Sequence, residues 1–296
     1  MPDNRGVSPV DRGNQGTPYA GAIMSDRVYR AVNRLGRSVL RALDVRVRVT
    51  GEQHLPTSGP VLLAINHVSY PDFVLVERAA VERDRFVRFM CRHDAWDLRP
   101  VGWAMDRMRH IPVDRRAPAA AYLRARSRLR DGEVVGAFPE AGISYSYTVR
   151  PLMPGVAALA RETGVAVLPV AVWGGQRIWS VGRPVDGKEP RPSLRRGRTV
   201  DVCFGVPRSA GPDADLTAWT QGLGTHLTTL LEGLQRLPEH RPAPGERAPW
   251  YPHHLGGQAP DRHEAAGLDV VPNSAVWPTW GPNGPLRPGT GPSGTG

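Results

Sequence analysis

Cysteine is nearly absent. Cys91 and Cys203 are the only two in 296 residues, which excludes a disulfide framework, and each stands in an apolar or mixed segment typical of a plain buried thiol. Lysine is scarcer still: Lys188 is the single one, so the formal net charge of +10 rests on arginine. No apolar run reaches the ~18 residues a membrane span requires; among the longest is Val165 to Trp173, so no bilayer-crossing helix is expected. A secretory leader pattern is missing too, since residues 1–20 are polar and turn-rich, and cytoplasmic residence is the expectation. Metal-ligand spacing is lacking: Cys91-Arg92-His93 supplies at most two ligands and His253-His254 falls in a Pro/Gly-rich tail. Zinc-finger spacings, RNA-binding aromatic signatures and basic-region heptads are likewise missing, so nucleic acid is not the expected partner of the positive charge. A coding bias towards Arg, Ala, Gly and Pro explains that charge as well as a basic surface does. As a functional feature it would attract anionic lipid head groups, phosphates or an acidic carrier protein.

What is present is an alternating pattern. Residues 25–43 place Val28, Ala31, Val32, Leu35, Val39, Leu40 and Leu43 at helical spacing with five arginines on other positions, a basic amphipathic helix. It packs on the domain as an ordinary outer helix or lies on an anionic membrane. Strands follow at 45–50, 61–65, 86–90, 111–113, 134–138, 165–172 and 199–204, with helices at about 70–83, 101–108, 117–130, 154–163 and 213–237. Alternation of this kind predicts an α/β domain, its mainly parallel central sheet covered by helices, over residues 23–237. Residues 1–22 and the Pro/Gly-rich tail 238–296 lack periodicity and are expected to be disordered, with Trp250, Trp277 and Trp280 unassigned in the tail.

His67 and Asp72 carry the chemistry. On one uninterrupted helix a spacing of five residues separates side chains by about 140°, so the chain must bend for them to meet. Ser69-Tyr70-Pro71-Asp72 supplies the bend: Ser69 is a good N-cap, Pro71 is tolerated in a first turn, and Asp72 stands where a capping box has its acid. His67 then lies on a strand-to-helix loop, where α/β sheets carry their sites. An imidazole oriented by a carboxylate keeps its other nitrogen free to take a proton from an alcohol. Neither Ser144 nor Ser146 fits a G-x-S-x-G nucleophile elbow.

The stretch from Gly51 to Asp72, ending Asn66-His67-Val68-Ser69-Tyr70-Pro71-Asp72, resembles the first block of the glycerolipid acyltransferases, the family of 1-acylglycerol-3-phosphate acyltransferases, whose motif is N-H-x-x-x-x-D. Three further blocks occur in the expected order. His110 to Arg115 is similar to the second, Phe138-Pro139-Glu140-Ala141-Gly142-Ile143-Ser144 to the third, and Val167-Leu168-Pro169-Val170 to the fourth. The resemblance implies that His67 is the general base, Asp72 its orienting carboxylate, Arg115 the cation on the acceptor's phosphate and Glu140 an acceptor-binding residue. Gly142, Ser144 and Arg150 join the implied substrate site, Asn66, Ser69 and Pro139 support the motifs, and Pro169 helps shape a pocket after a strand. Backbone N–H groups near Gly142 would stabilise the oxyanion.

It further implies an acyl-CoA or acyl carrier protein thioester as donor, no bound cofactor or metal, a lysophospholipid acceptor, and a peripheral seat on the anionic inner face of the cell membrane. The third block departs from the family: Ala141 replaces the usual Gly, Gly142 the usual Thr and Ile143 the usual Arg, so one phosphate-facing cation is missing and Arg150 compensates in part. Two alternatives therefore stand beside transfer to 1-acyl-sn-glycerol-3-phosphate. They are an acyltransferase acting on another lipid alcohol and a non-catalytic lipid-binding relative.

Overall fold

The computed structural model describes residues 20–182 and 190–269. Among these the chain orders as α1 (Ala20–Ala42), β1 (Arg46–Thr50), β2 (Val61–Ile65), α2 (Asp72–Ala80), β3 (Val87–Arg92), α3 (Arg99–Arg107), β4 (Ile111–Val113), α4 (Ala119–Arg130), β5 (Val134–Ala137), α5 (Gly155–Thr163), β6 (Val167–Trp173), β7 (Thr199–Phe204), α6 (Leu216–Gln235) and α7 (Arg262–Leu268). The strands form one seven-stranded sheet in the order β1-β7-β6-β2-β5-β3-β4. Strands β2 to β6 run in one direction; β7 is antiparallel to β6 and parallel to β1, so this edge pair runs the other way.

Strands buried on both faces need apolar side chains at every position, and β2 and β6 have them: all five residues of Val61–Ile65 and all seven of Val167–Trp173 are buried. Alternation along β2 divides the core. Leu62 and Ala64 face Ala121, Ala125 and Leu129 of α4 and the leucines of α6, whereas Val61, Leu63 and Ile65 face Leu75, Val76 and Ala79 of α2. Pro169 sits inside β6, where a proline normally breaks a ladder. Its ring is accommodated because the β7 ladder begins one residue later, at Val170, and the Pro169 carbonyl accepts from Gly205 N at 2.8 Å. Pro169 thus lies within a strand rather than just after one, as a core residue.

The helix α1 divides its apolar residues between two environments. Tyr29 is 1% exposed and packs with Met105 of α3 and Met108 just after it, whereas Val32, Leu35 and Val39 are exposed.

Residues 238–269 correct the expectation of a structureless tail. His240 is fully buried against Asp201 (2.6 Å), the Tyr251 hydroxyl donates to the Gln235 carbonyl (2.8 Å), and Ala248 and Ala259 are buried. Asp261 then caps α7 in a full capping box with Glu264. Isolated anchors on a turn-rich backbone replace the periodic apolar face that sequence patterns detect. Trp277 and Trp280 lie outside the described residues, as do residues 1–19 and 270–296.

Candidate active site

Four loops meet at the C-terminal ends of the parallel strands: residues 66–71 after β2, 114–115 after β4, 138–150 after β5 and 174–180 after β6. Asn66 fixes the first of them. Its side-chain amide donates to the Val172 carbonyl (3.2 Å) and its oxygen accepts from Val172 N (2.7 Å), so the end of β2 is locked in register with β6.

The bend between His67 and Asp72 forms as expected, although the capping roles are reversed. Ser69 does not cap the helix; the fully buried Asp72 carboxylate accepts from Val68 N (2.8 Å), from Ser69 N (2.8 Å) and from the Ser69 hydroxyl. From the first turn of α2 the carboxylate reaches back and satisfies two amides of the preceding loop, which regular secondary structure leaves without partners. The same Oδ2 lies 2.9 Å from His67 Nδ1. Because an ionised carboxylate only accepts, Nδ1 carries the imidazole proton and Nε2 holds the free lone pair. Nε2 has no hydrogen-bond partner among the described residues, and the His67 side chain is 19% exposed. Phe138 stacks on its ring at a centroid distance of 4.2 Å and restricts its rotation.

Glu140 lies beneath this site, not in it. Only 2% exposed, it accepts from His67 N (2.7 Å) with one oxygen and from Arg150 N (2.8 Å) with the other, tying the His67 loop to the third-block loop. Burial pushes its carboxyl up to about 8. Ser144 is also fully buried: its N–H donates to the His67 carbonyl (2.9 Å) and its hydroxyl meets that of Ser146 (3.2 Å). Pro139 is buried in the same turn, and its carbonyl accepts from Met153 N at 2.7 Å. Of the third block, the half-buried stretch Ala141 to Ile143 remains nearest the surface.

Two guanidiniums flank Gly142. Arg115, at the surface, donates to the Ala141 carbonyl, and Arg150, 5% exposed, donates to the Ile143 carbonyl at 3.2 Å. A side chain on residue 142 would displace the end of the Arg150 side chain, so glycine leaves room for that guanidinium in its present position. Partial burial, then the neighbouring charges of Arg92 and Arg150, disfavour the charged form of Arg115; cations converge on this loop. Arg150 is matched by a counter-ion that sequence patterns gave no sign of: Asp269, just past α7, lies 3.1 Å from its Nε. The structure therefore brings His67, Asp72, Arg115 and Gly142 to one edge of the sheet and places Glu140, Ser144 and Arg150 as its supports.

Gly175 was also not legible beforehand. It packs so closely behind the turn that a Cβ would collide with Ser69 Oγ and stand 3.2 Å from Asp72 Oδ1. Among the described residues no group of three His, Cys, Asp or Glu side chains is arranged to hold a metal. Cys91 and Cys203 are both free, and burial pushes the Cys91 thiol up to about 12, so it stays protonated.

Residues 46–173 match the Acyltransferase family. The chain is 26% identical over 141 residues to the chloroplast 1-acyl-sn-glycerol-3-phosphate acyltransferase LPAT1 of Arabidopsis thaliana, a match covering 46% of this chain and 38% of the relative. It is 26% identical over 140 residues to the 1-acyl-sn-glycerol-3-phosphate acyltransferase of Borreliella burgdorferi, covering 44% of this chain and 52% of that protein. The matches thus span between about two-fifths and half of the length of these curated relatives. In fold the chain is similar to the crystal structure of the 1-acyl-sn-glycerophosphate acyltransferase PlsC from Thermotoga maritima, with a TM-score of 0.60 at 18% identity over 74% of this chain and 85% of the other. The segment that carries the His67–Asp72 turn thus matches the Acyltransferase family and is similar in sequence to glycerolipid acyltransferases.

Proposed function

We propose that this protein is an O-acyltransferase that moves a fatty acyl group from a thioester of coenzyme A or acyl carrier protein to the hydroxyl of a lysophospholipid. On this reading the acceptor is 1-acyl-sn-glycerol-3-phosphate and the product phosphatidic acid. The observation that carries it is the free Nε2 of His67, aligned through Nδ1 by a buried carboxylate and standing on the same sheet edge as Arg115. His67 Nε2 takes the proton of the acceptor hydroxyl as its oxygen attacks the thioester carbonyl. A tetrahedral oxyanion forms, with backbone N–H groups near Gly142 as its donors. Collapse breaks the C–S bond, and the departing thiolate recovers the proton from His67. The step needs no covalent enzyme intermediate, bound cofactor or metal.

Arg115 holds the acceptor's phosphate, while Glu140 and Asp72 fix the base. Attachment to the anionic inner face of the cell membrane belongs to the same proposal. Val32, Leu35 and Val39 line one face of a helix carrying five arginines between residues 27 and 41, and Trp103 of α3 is 56% exposed.

A second reading, transfer to a lipid alcohol without a phosphomonoester, is favoured by the ion pair of Arg150 with Asp269 and by Ile143 in place of arginine. One experiment separates the two. Purified protein is incubated with labelled acyl thioester and a mixed pool of lysophospholipids and other lipid alcohols, and the product is identified by mass spectrometry. Phosphatidic acid supports the first reading, another ester the second, and no acylated lipid sinks both.

A further inference from the structure

Outside the four family blocks, a second concentration of positive charge adjoins the catalytic turn. Gly175 touches Ser69 and Asp72 from behind; Arg177 follows two residues later, within about 7 Å of backbone. Its guanidinium lies over the Trp250 ring, 4.2 Å from the centroid, and its Nε is buried without a hydrogen-bond partner. The segment carrying Arg195 and Arg198 is bonded onto the same loop: Ser193 N donates to the Ile178 carbonyl (2.7 Å) and Arg198 Nη2 to Ser193 Oγ (2.8 Å).

The three cations sit within each other's field. Partial burial depresses the pKa of Arg198, and the charges of Arg177 and Arg195 depress it further. Burial also depresses Arg177, with Arg195 acting in the same sense and Glu246 opposing. None of the three guanidiniums forms an ion pair among the described residues; the Glu246 carboxylate, which accepts from Ala243 N (2.9 Å), lies near enough to favour the charge of Arg177 without contacting it as an ion pair. Other arginines are matched by carboxylates, as Arg48 is by Asp201 and Arg88 by Glu133, while the buried Arg85 is satisfied by the Pro56 and Gly59 carbonyls. Unmatched positive charge held in place by packing is the footprint of an anionic ligand.

Aromatic surface accompanies the charge. Trp250 presents a ring beside Arg177, and Trp179, 41% exposed, stacks on Tyr70 of the catalytic turn at 4.6 Å. Three converging guanidiniums with adjacent indole faces suit several phosphates and a purine carried on one small molecule. An acidic protein helix would instead spread its charges along one face.

We propose that Arg177, Arg195 and Arg198, with Trp250 and Trp179, form the docking site for the phosphates and base of a nucleotide-bearing acyl thioester of the coenzyme A class. This rests on the acyl-transfer reading for its place in the reaction, since the site stands next to the turn where the thioester must react. It fixes the donor: coenzyme A rather than a carrier protein.

The test is a binding titration with coenzyme A and with pantetheine, which keeps the thiol arm and lacks the nucleotide and phosphates. The wild-type chain is compared with Arg195→Gln and Arg198→Gln. Arg195 is the safer substitution for folding, because its guanidinium makes no bond among the described residues. Each substitution weakens coenzyme A about tenfold, flattens its salt dependence, and leaves pantetheine unchanged. Coenzyme A binding that is absent from wild type or unaffected by both substitutions overturns the proposal. A parallel loss for pantetheine does so too, as does an effect confined to acyl carrier protein. Binding that behaves as expected in a chain that transfers no acyl group would sink the acyl-transfer reading and leave this site standing; active transfer without the binding effect would do the reverse.

Discussion

Replacing Glu140 by glutamine separates a residue that touches the acceptor from one that positions the base. Its two oxygens accept from His67 N at 2.7 Å and Arg150 N at 2.8 Å, and the side chain is 2% exposed. Glutamine keeps the shape but turns one acceptor into a donor, which then faces a buried N–H. Leaving that buried N–H unpaired costs about 1–3 kcal/mol. Relief from burying a carboxyl whose pKa burial raises to about 8 offsets part of this near neutral pH. The net expectation is a loss of about 1–2 kcal/mol of stability. The His67 loop is released from one of its anchors, and a misplacement approaching 1 Å costs roughly 10²-fold in rate. Steady-state kinetics with lysophosphatidate should therefore show kcat falling by roughly 10-fold to 10²-fold with the acceptor KM nearly unchanged. The pH dependence supplies a second readout. The folded carboxyl holds its proton to about 8 while the unfolded one releases it near the ordinary 4.5, so the native state binds more protons in that window and wild-type stability falls as pH rises through it. The glutamine variant lacks that contribution. A raised acceptor KM at unchanged kcat would refute the positioning role and return Glu140 to direct substrate contact.

Three further outcomes follow from other sites. Ala141 adopts a left-handed φ of 55°, a conformation that costs a non-glycine residue about 1–2 kcal/mol, so Ala141→Gly should raise stability by about 0.5 kcal/mol after glycine's greater unfolded entropy is counted. Denaturant melts check this, and a loss above about 1 kcal/mol would contradict the strained geometry. His110 is buried with Nδ1 accepting from Phe89 N at 3.1 Å, and burial followed by Arg88 lowers its pKa to about 3. The unfolded chain takes up a proton on this ring below about 6.5 that the native state refuses, so stability falls from there towards pH 3; His110→Gln should reduce that slope by about one proton. Leu35 is 67% exposed on α1, and Leu35→Glu should weaken co-sedimentation with anionic vesicles several-fold at an unchanged melting temperature. Equal binding by the variant would remove α1 from the membrane contact.

Most of the fold was legible because its central strands are buried on both faces. Val61–Ile65 and Val167–Trp173 are continuous apolar runs, and the intervening amphipathic segments formed helices within a few residues of their expected bounds. The reversed direction of β1 and β7 was not legible, since strand direction depends on connections that periodicity does not record. At the site, the His67–Asp72 pair could be anticipated because five residues and a proline bend bring the groups together locally. The contacts of Asn66 with Val172, Gly175 with Ser69 and Glu140 with His67 N join separate blocks of sequence and leave no local periodic pattern. The segment 238–269 was missed for a different reason: single anchors such as His240, Ala248 and Tyr251 hold a Pro/Gly-rich backbone that shows no amphipathic period.

The acyl-transfer account turns on the proton taken by His67 Nε2. The most direct measurement is single-turnover transfer from labelled acyl thioester to lysophosphatidate by wild type and His67→Ala, with the melting temperature of each recorded. Because Asp72 keeps its bonds to Val68 N and Ser69 N without the imidazole, the variant should fold with nearly wild-type stability while transfer falls roughly 10²- to 10⁴-fold. Transfer by His67→Ala at the wild-type rate would contradict it.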